Sequence, residues 1–377
     1  MFDRKEEKKV EYLELIYDLI FVYLIGRNGS LVQHIEGGFI NWTLFVTYVL
    51  CTLIAIQIWS YSTFYINRFG KNGLRDHIFI FVNMYLLYFM AESTRTDWQS
   101  SYYYRYNIAW GLILVNIALQ YFITYKKNSA AAPWENAHLI WNFRNLAIQA
   151  AIVFVSIPVY SFTGLPLGPA AMVFGLIMTM CSGRVSSLVA VDFSHLAERA
   201  MLYVVFTFGE MIIVIAGYFS GPFSLNLVYF SLFAFLIAAG LFLSYEIFYD
   251  HLIDKEMQTN GAGYMAIHIF IIFALNSITM GLEFMPEHEI HSLPKTLYLT
   301  GAMLMFYVFL FLLGRYTGKQ TRPPFSFLIR VGLIGVSFIV LMILLRDIMY
   351  VNIAVMAVYV YIVYAVLLDF RKKHKKL

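Results

Sequence analysis

Twelve long apolar stretches follow one another along the chain. A helix needs about 20 apolar residues to cross a hydrocarbon layer of about 30 Å. The stretches are solidly apolar rather than alternating, which favours helices because a helix satisfies its own backbone hydrogen bonds in lipid. The pattern predicts an all-α polytopic membrane protein. The predicted spans are 12–33, 41–66, 77–94, 104–125, 136–160, 166–190, 198–218, 224–249, 262–282, 296–314, 325–345 and 349–369.

The loops between these stretches are too short to hold a core, so a single transmembrane domain over residues 1–377 is predicted. Composition agrees, because only 13% of the residues are charged whereas soluble domains carry about 25%. Glu14 and Glu198 open the first and seventh spans in similar ways. Six spans between related elements would make a parallel repeat, with halves 12–190 and 195–369. Chance similarity between apolar helices is the competing interpretation.

Most of the 27 Lys and Arg residues fall on one side if the chain crosses the membrane twelve times. This bias predicts that both termini are cytoplasmic. The basic tail after Arg371 suits contact with anionic lipid head groups or a topology anchor, and nothing indicates nucleic acid binding. No cleavable signal peptide is expected. Cys51 and Cys181 fall inside spans and are interpreted as buried hydrophobic residues rather than disulfide partners.

Two acids lie deep in the first span, with Glu14 and Asp18 one helical turn apart. A charge at membrane depth costs about 3 kcal/mol or more on insertion scales, so it needs a partner or a use. One interpretation is a cation or proton site, or half of an ion pair that moves. The other is a static salt bridge, for which the candidate partners are Arg144, Arg184 and Arg199.

The seventh span begins with His195, Glu198 and Arg199 and continues to Glu210. Capping by Asp192, together with an arginine that reaches the inner surface, explains the beginning of this helix. It does not explain Glu210, which lies in the middle of the span, so a functional role is favoured there.

Further polar residues follow in the eighth and ninth spans. Glu246 and Asp250 are one turn apart near the end of the eighth span, with His251 beside them. They indicate either a divalent ion site or an ordinary solvated helix end. His268 is interpreted as a hydrogen-bonded packing residue, with a proton relay as the alternative. The sequence has no nucleotide-binding loop, zinc-protease motif or hydrolase nucleophile elbow, and it identifies no metal or cofactor.

Three motifs carry a family resemblance. The segment 14–22, ELIYDLIFV, resembles the opening motif of the bacterial low temperature requirement A (LtrA) family, and 67–75, NRFGKNGLR, is similar to a second family segment. His195-Leu-Ala-Glu-Arg199, followed by Gly209-Glu210, is similar to a third, and the weaker matches are Tyr249-Asp250 and His268. The chain departs from the family pattern at Ala200 and Met201, and after Arg68 it lacks the acids often found there.

The resemblance implies a multi-span protein of the bacterial plasma membrane that is connected with growth in the cold. It implies no settled biochemical activity, so any mechanism has to come from the residues.

The leading hypothesis is a transporter or channel for a small ion or polar solute, and a non-enzymatic role is favoured over an enzymatic one. Its partners would be the bilayer and the solute, with a homo-oligomer as a further expectation. The predicted pathway residues are Glu14, Asp18, Arg144, His195, Glu198, Arg199, Glu210, Glu246, Asp250 and His268.

Two alternatives remain. One is a membrane-embedded enzyme, metal-dependent in one version, that modifies a lipid or isoprenoid. The other is a non-catalytic sensor or scaffold in which the charged pairs only hold the helices in place. The candidate ligands of the enzyme are Asp192, His195, Glu198, Asp250, His251 and His268.

Overall fold

A computed structural model describes residues 8–95, 100–127, 132–181, 189, 191–220, 223–285, 290–318 and 321–374. Twelve α-helices account for most of this part of the chain. They are α1 (Tyr12–Gly29), α2 (Trp42–Phe69), α3 (Leu74–Glu92), α4 (Ser100–Lys127), α5 (Pro133–Thr163), α6 (Gly168–Cys181), α7 (Phe193–Ala216), α8 (Leu225–Ile247), α9 (Ala262–Glu283), α10 (Ser292–Leu312), α11 (Phe325–Leu344) and α12 (Met349–His374).

Each predicted span corresponds to one of these helices. Among the described residues, ten helices are long and apolar enough to cross a membrane, as expected of an all-α polytopic membrane protein. The two others are α3 and α6. The first turn of α3 contains Arg75, Asp76 and His77, and the described part of α6 has only 14 residues. At 1.5 Å per residue, 14 residues extend about 21 Å, less than the hydrocarbon thickness.

The first helix continues through a polar segment that contains two glycines. Residues 26–29, Gly-Arg-Asn-Gly, form its last turn, and a short 3-10 helix, Ser30–Gln33, follows. Asn28 and Gly29 are buried in this turn. Neighbouring side chains therefore keep the turn helical despite its polar composition.

Contacts among Cα atoms divide the chain into two units. The first unit comprises the described residues up to His34, then Trp42–Leu202 and Gln258–Gly263. Within it, α4 packs along both α3 and α5, and α1 packs against α2 and α3. In α6, Gly175 approaches Tyr61 and Gln149 so closely that a Cβ atom would collide with them. The small residue at this position of α6 thus permits close contact.

The second unit comprises Ile35–Asn41, Tyr203–Met257 and the residues from Tyr264 onward. It contains a small hairpin in which β1 (Ile35–Glu36) pairs antiparallel with β2 (Phe39–Ile40). The two turn residues, Gly37 and Gly38, have φ values of 62° and 84°, a conformation that glycine adopts without strain. In the same unit α12 packs against α8 and α11, and α10 packs against α11.

Candidate functional site

The two deep acids of α1 meet the beginning of α7 inside the first unit. Glu14 and Asp18 are four residues apart on α1, and His195 and Arg199 are four residues apart on α7. Residues at this spacing share one helical face. Glu14 is 3% exposed, and the other three side chains are fully buried. The four side chains form a single buried polar cluster, which we call the ion cluster.

Arg199 is the centre of the ion cluster. Its Nε donates to Asp18 Oδ2 at 2.9 Å, and its second terminal nitrogen donates to Asp18 Oδ1. Its other terminal nitrogen donates to Glu14 Oε2. The guanidinium is planar and presents donors on two sides, so it can bridge two carboxylates in a way that lysine cannot. Of the three arginines predicted as partners, Arg199 is the one that the structure places against the acids.

A tryptophan completes the surroundings of Asp18. Trp59 of α2 is fully buried, and its Nε1 donates to Asp18 Oδ1 at 2.8 Å. Asp18 therefore accepts three hydrogen bonds, two of them from Arg199. Buried charges are tolerated when they are paired and hydrogen-bonded in this way.

Asn67 at the end of α2 determines how His195 is oriented. The amide Nδ2 lies 3.0 Å from His195 Nδ1 and 2.8 Å from the carbonyl oxygen of Asp192. The backbone N–H of Asp192 donates to Asn67 Oδ1 at 3.2 Å, which fixes the orientation of the amide. Nδ2 therefore donates, and His195 Nδ1 accepts. The neutral imidazole then carries its proton on Nε2.

The protonated Nε2 of His195 lies beside Glu14. The two atoms, His195 Nε2 and Glu14 Oε2, are 3.3 Å apart, within ion-pair distance but without the angles of a hydrogen bond. With a neutral histidine, the groups in direct contact are two carboxylates and one guanidinium. The ion cluster thus holds one excess negative charge when both acids are ionised.

The beginning of α7 is held by the residue just before it, Asp192, and by Lys8 near the start of the chain. Asp192 Oδ1 accepts from the backbone N–H of His195 at 3.0 Å, which is helix capping as expected. Asp192 Oδ2 accepts from the backbone N–H of Lys8 at 3.0 Å. The Lys8 ammonium donates to the carbonyl oxygens of Ile66 and Gly70 at the end of α2. Burial lowers the pKa of Lys8, and the nearby charge of Glu14 opposes this shift.

Comparison with known proteins identifies the family. The family described as bacterial low temperature requirement A protein (LtrA) matches residues 9–367. The chain belongs to the LtrA family. The match covers nearly the whole chain and includes every member of the ion cluster. No curated protein matches the sequence.

One predicted pathway residue of this LtrA protein lies elsewhere. Arg144 was a candidate salt-bridge partner of Glu14 and Asp18, and this expectation is wrong. Its side chain is exposed on α5, and among the described residues no carboxylate lies within ion-pair distance of it. A helical arginine in the middle of a polar segment can face either way, and only packing decides which. Arg184, another proposed partner, lies outside the described residues.

The remaining predicted acids do not join the ion cluster. Glu198 and Glu246 are half-buried, and Asp250 and His251 are exposed after the end of α8. Glu210 is also half-buried, and its charge interacts with that of Glu283 within the second unit. Glu210 and Glu283 therefore form a second pair of neighbouring carboxylates.

His268 is a packing residue in the second unit, as the first interpretation expected. Its Nδ1 lies 2.9 Å from the carbonyl oxygen of Tyr264, and its Nε2 lies 3.0 Å from the hydroxyl of Tyr245. The carbonyl can only accept, so Nδ1 donates and Nε2 accepts from the tyrosine. Both ring nitrogens are satisfied without a carboxylate.

The described part of the chain contains no metal site of the kind that the metal-dependent enzyme would need. No group of three or more His, Cys, Asp or Glu side chains is arranged there to hold a metal ion. The six proposed ligands are spread over α7, the end of α8 and α9.

Sequence reasoning missed two members of the site, Trp59 and Asn67. Both had a signal. A buried indole N–H needs an acceptor, and acceptors are scarce in an apolar span. Asn67 belongs to the second family segment, and an amide at a helix end commonly pairs with backbone groups.

Proposed function

We propose that this protein is a carrier for a small ion or polar solute, and that Glu14 takes up the proton to which transport is coupled, with His195 positioned beside it. One observation carries the proposal. The buried ion cluster has two carboxylates for one guanidinium, and the protonated nitrogen of His195 lies 3.3 Å from one of them, Glu14. A proton is the smallest cation that can neutralise such a charge without a cavity.

Burial favours a carrier over an open channel. Glu14, Asp18, His195 and Arg199 are all buried, and two cavities of about 50 and 610 Å³ in the first unit are lined by other residues. An open pore would keep its charged groups in contact with water. A carrier alternates between states, and in some of these its central charges are sealed.

The excess charge favours coupling to a proton. In an interior of low dielectric constant an uncompensated carboxylate is costly, and taking up a proton removes the cost. Arg199 donates to Glu14, and the charge of Lys8 also interacts with that of Glu14, but the Lys8 ammonium binds backbone carbonyls rather than the carboxylate. His195 does not neutralise Glu14, because its Nδ1 accepts from Asn67 and its Nε2 already carries a proton, so the proton is taken up on the Glu14 carboxylate itself.

A second candidate function rests on a different observation. Arg199 contacts Asp18 through two nitrogens, which is the geometry of a firm static pair. In that case the ion cluster only fastens α1 to α7, and the protein is a scaffold or sensor that moves no solute. The two functions predict different results when the charges of Asp18 and Arg199 are exchanged.

Proton movement in proteoliposomes tests the carrier. Purified protein is reconstituted into vesicles that contain a pH-sensitive dye, and gradients of Na⁺ or K⁺ are imposed in turn. We expect ion-dependent proton movement by the native protein, none by Glu14→Gln and slower movement by His195→Gln. His195→Gln keeps a hydrogen-bond donor but removes the ring that lies beside Glu14. The control Glu256→Gln changes an exposed acid of the same type and should behave as the native protein does.

The exchange of charges separates the two functions. Combining Asp18→Arg with Arg199→Asp keeps the attraction but moves each charge to the other helix. If the ion cluster is only a static salt bridge, the double variant should regain function, measured as growth in the cold. A carrier predicts a folded double variant that remains inactive. Full proton movement by Glu14→Gln would reject Glu14 as the proton site, and no movement by the native protein would reject the carrier.

A further inference from the structure

A basic cavity of about 610 Å³ lies in the first unit, where α2 ends and α3 begins. The end of α4 and the start of α5 close its other side. Its volume is in the range of ligand-binding pockets. Four cations and two acids line it, namely Arg68, Lys71, Arg75, Lys127, Asp76 and Glu135.

The two acids do not cancel the four cations. Asp76 is already engaged, because its Oδ1 accepts from Arg75 at 3.0 and 3.1 Å and its Oδ2 accepts from the backbone N–H of Lys71 at 2.8 Å. Arg68, Lys71 and Lys127 have no carboxylate within ion-pair distance in the described part of the chain. Three free cations facing one remaining acid leave the cavity electropositive.

Arg68 is the least satisfied of these cations. Its terminal nitrogen Nη1 lies 3.4 Å from His138 Nε2, and its guanidinium lies 5.1 Å from the centre of the Phe64 ring. Its Nε is buried and has no hydrogen-bond partner among the described residues. A buried donor without an acceptor is costly, and a bound anion would supply the acceptor.

The beginning of α3 adds backbone donors to the same cavity. Gly73, the residue that precedes the helix, lines the cavity with Leu74, and no side chain caps this end. The first N–H groups of a helix lack partners within the helix and carry partial positive charge. A Cβ atom on Gly73 would meet nothing within 4 Å, so the space in front of it is open.

We propose that this cavity binds a phosphate group, and that the phosphate belongs to the head group of an anionic phospholipid. Guanidinium and ammonium groups beside a free helix start are the combination that recognises phosphate. The cavity lies among the ends of membrane helices, where head groups are found, and basic pockets between such helices bind anionic lipids. The lipid would bridge α2, α3 and α4 on the side that the charge bias predicts to be cytoplasmic.

Lys127 and Lys126 form a matched pair for the test. Both are exposed at the end of α4, but Lys127 lines the cavity, whereas Lys126 lies 5.7 Å from the centre of the Phe122 ring and does not line it. Lys127→Gln should weaken binding of an anionic lipid by roughly fivefold, since a cation near a head group contributes about that factor. Lys71→Gln should do the same, and Lys126→Gln should have no effect.

Native mass spectrometry of the full-length protein in neutral detergent supplies the measurement. The delipidated protein is titrated with short-chain phosphatidylglycerol, with phosphatidylcholine, and with inorganic phosphate as a competitor. Preference for phosphatidylglycerol that is reduced by Lys127→Gln supports the lipid. Competition by inorganic phosphate at low concentration, without a preference among lipids, supports the phosphate site but assigns it to a soluble ligand.

Two results would overturn the proposal: equal binding of both lipids with no effect of phosphate, or equal weakening by Lys126→Gln and Lys127→Gln. Arg68→Gln is a further variant, but its side chain is partly buried and its loss affects packing, so the lysine pair decides the outcome. Lipid binding is measured without any transport. The proposal can therefore fail while the carrier stands, and the reverse also holds.

Discussion

Replacing Arg199 with glutamine tests whether the guanidinium is the counterion of the ion cluster. The change removes the donors to Asp18 and Glu14 and leaves both carboxylates buried. Removing one partner of a buried ion pair costs about 3–5 kcal/mol. The upper part of this range applies here, because one guanidinium serves two carboxylates. Arg199→Gln should therefore lose about 4–5 kcal/mol of the free energy of unfolding.

A compensated variant separates charge from packing. Adding Glu14→Gln and Asp18→Asn to Arg199→Gln removes every formal charge from the three positions while keeping similar side-chain shapes. Replacing a complete buried ion group is often neutral in stability, so the triple variant should recover most of the loss. Reversible unfolding in mixed detergent micelles, followed by circular dichroism, measures all three proteins.

The matched control for this series is Arg144→Gln. Arg144 has the same side chain but is exposed, so its replacement should change the free energy of unfolding by less than about 0.5 kcal/mol. The reasoning fails if Arg199→Gln costs under about 1 kcal/mol, since the acids would then be stabilised by something other than the guanidinium. It also fails if the triple variant is less stable than Arg199→Gln alone.

Two further predictions concern the surroundings of the ion cluster, and a third test concerns the metal content of the protein. Trp59→Phe removes one hydrogen bond to a charged acceptor and should cost about 1.5–3 kcal/mol in the same unfolding assay; an unchanged midpoint would contradict the bond to Asp18. Asp192→Ala removes the cap of α7 and should speed hydrogen exchange in its first turn, with a loss of about 0.5–2 kcal/mol. Unchanged exchange there would mean that Asp192 does not cap the helix. Elemental analysis of the purified protein tests the metal-dependent enzyme, because a one-to-one content of zinc, manganese or iron would favour that hypothesis over the carrier.

The helices themselves were predictable from hydropathy. Each of the twelve predicted spans corresponds to a helix, because a run of apolar residues in lipid must satisfy its backbone hydrogen bonds locally. Two helices differ from the other ten. The polar start of α3 lowers its hydropathy, and the described part of α6 is shorter than a membrane span. Both termini cytoplasmic, twelve crossings and a parallel repeat remain predictions.

The site was predictable only in part. The depth of Glu14 and Asp18 identified them as residues that need a partner, and Arg199 was one of three candidates. No local pattern could choose among them, because 181 residues separate Asp18 from Arg199 along the chain. Arg144 was another of the three candidates. The packing of α5 leaves its side chain exposed, and nothing in the local sequence predicted this.

The amino-acid sequence alone was enough to determine the membrane class, the positions of the helices and the presence of acids that lipid would not tolerate unpaired. These follow from local energies: the transfer of each side chain into lipid and the hydrogen bonding of each backbone segment. Only the tertiary structure decided which arginine meets the acids, which nitrogen of His195 carries the proton and where unpaired cations gather around a cavity. These depend on which helix faces come together, and that choice is made by the packing of residues far apart in the chain.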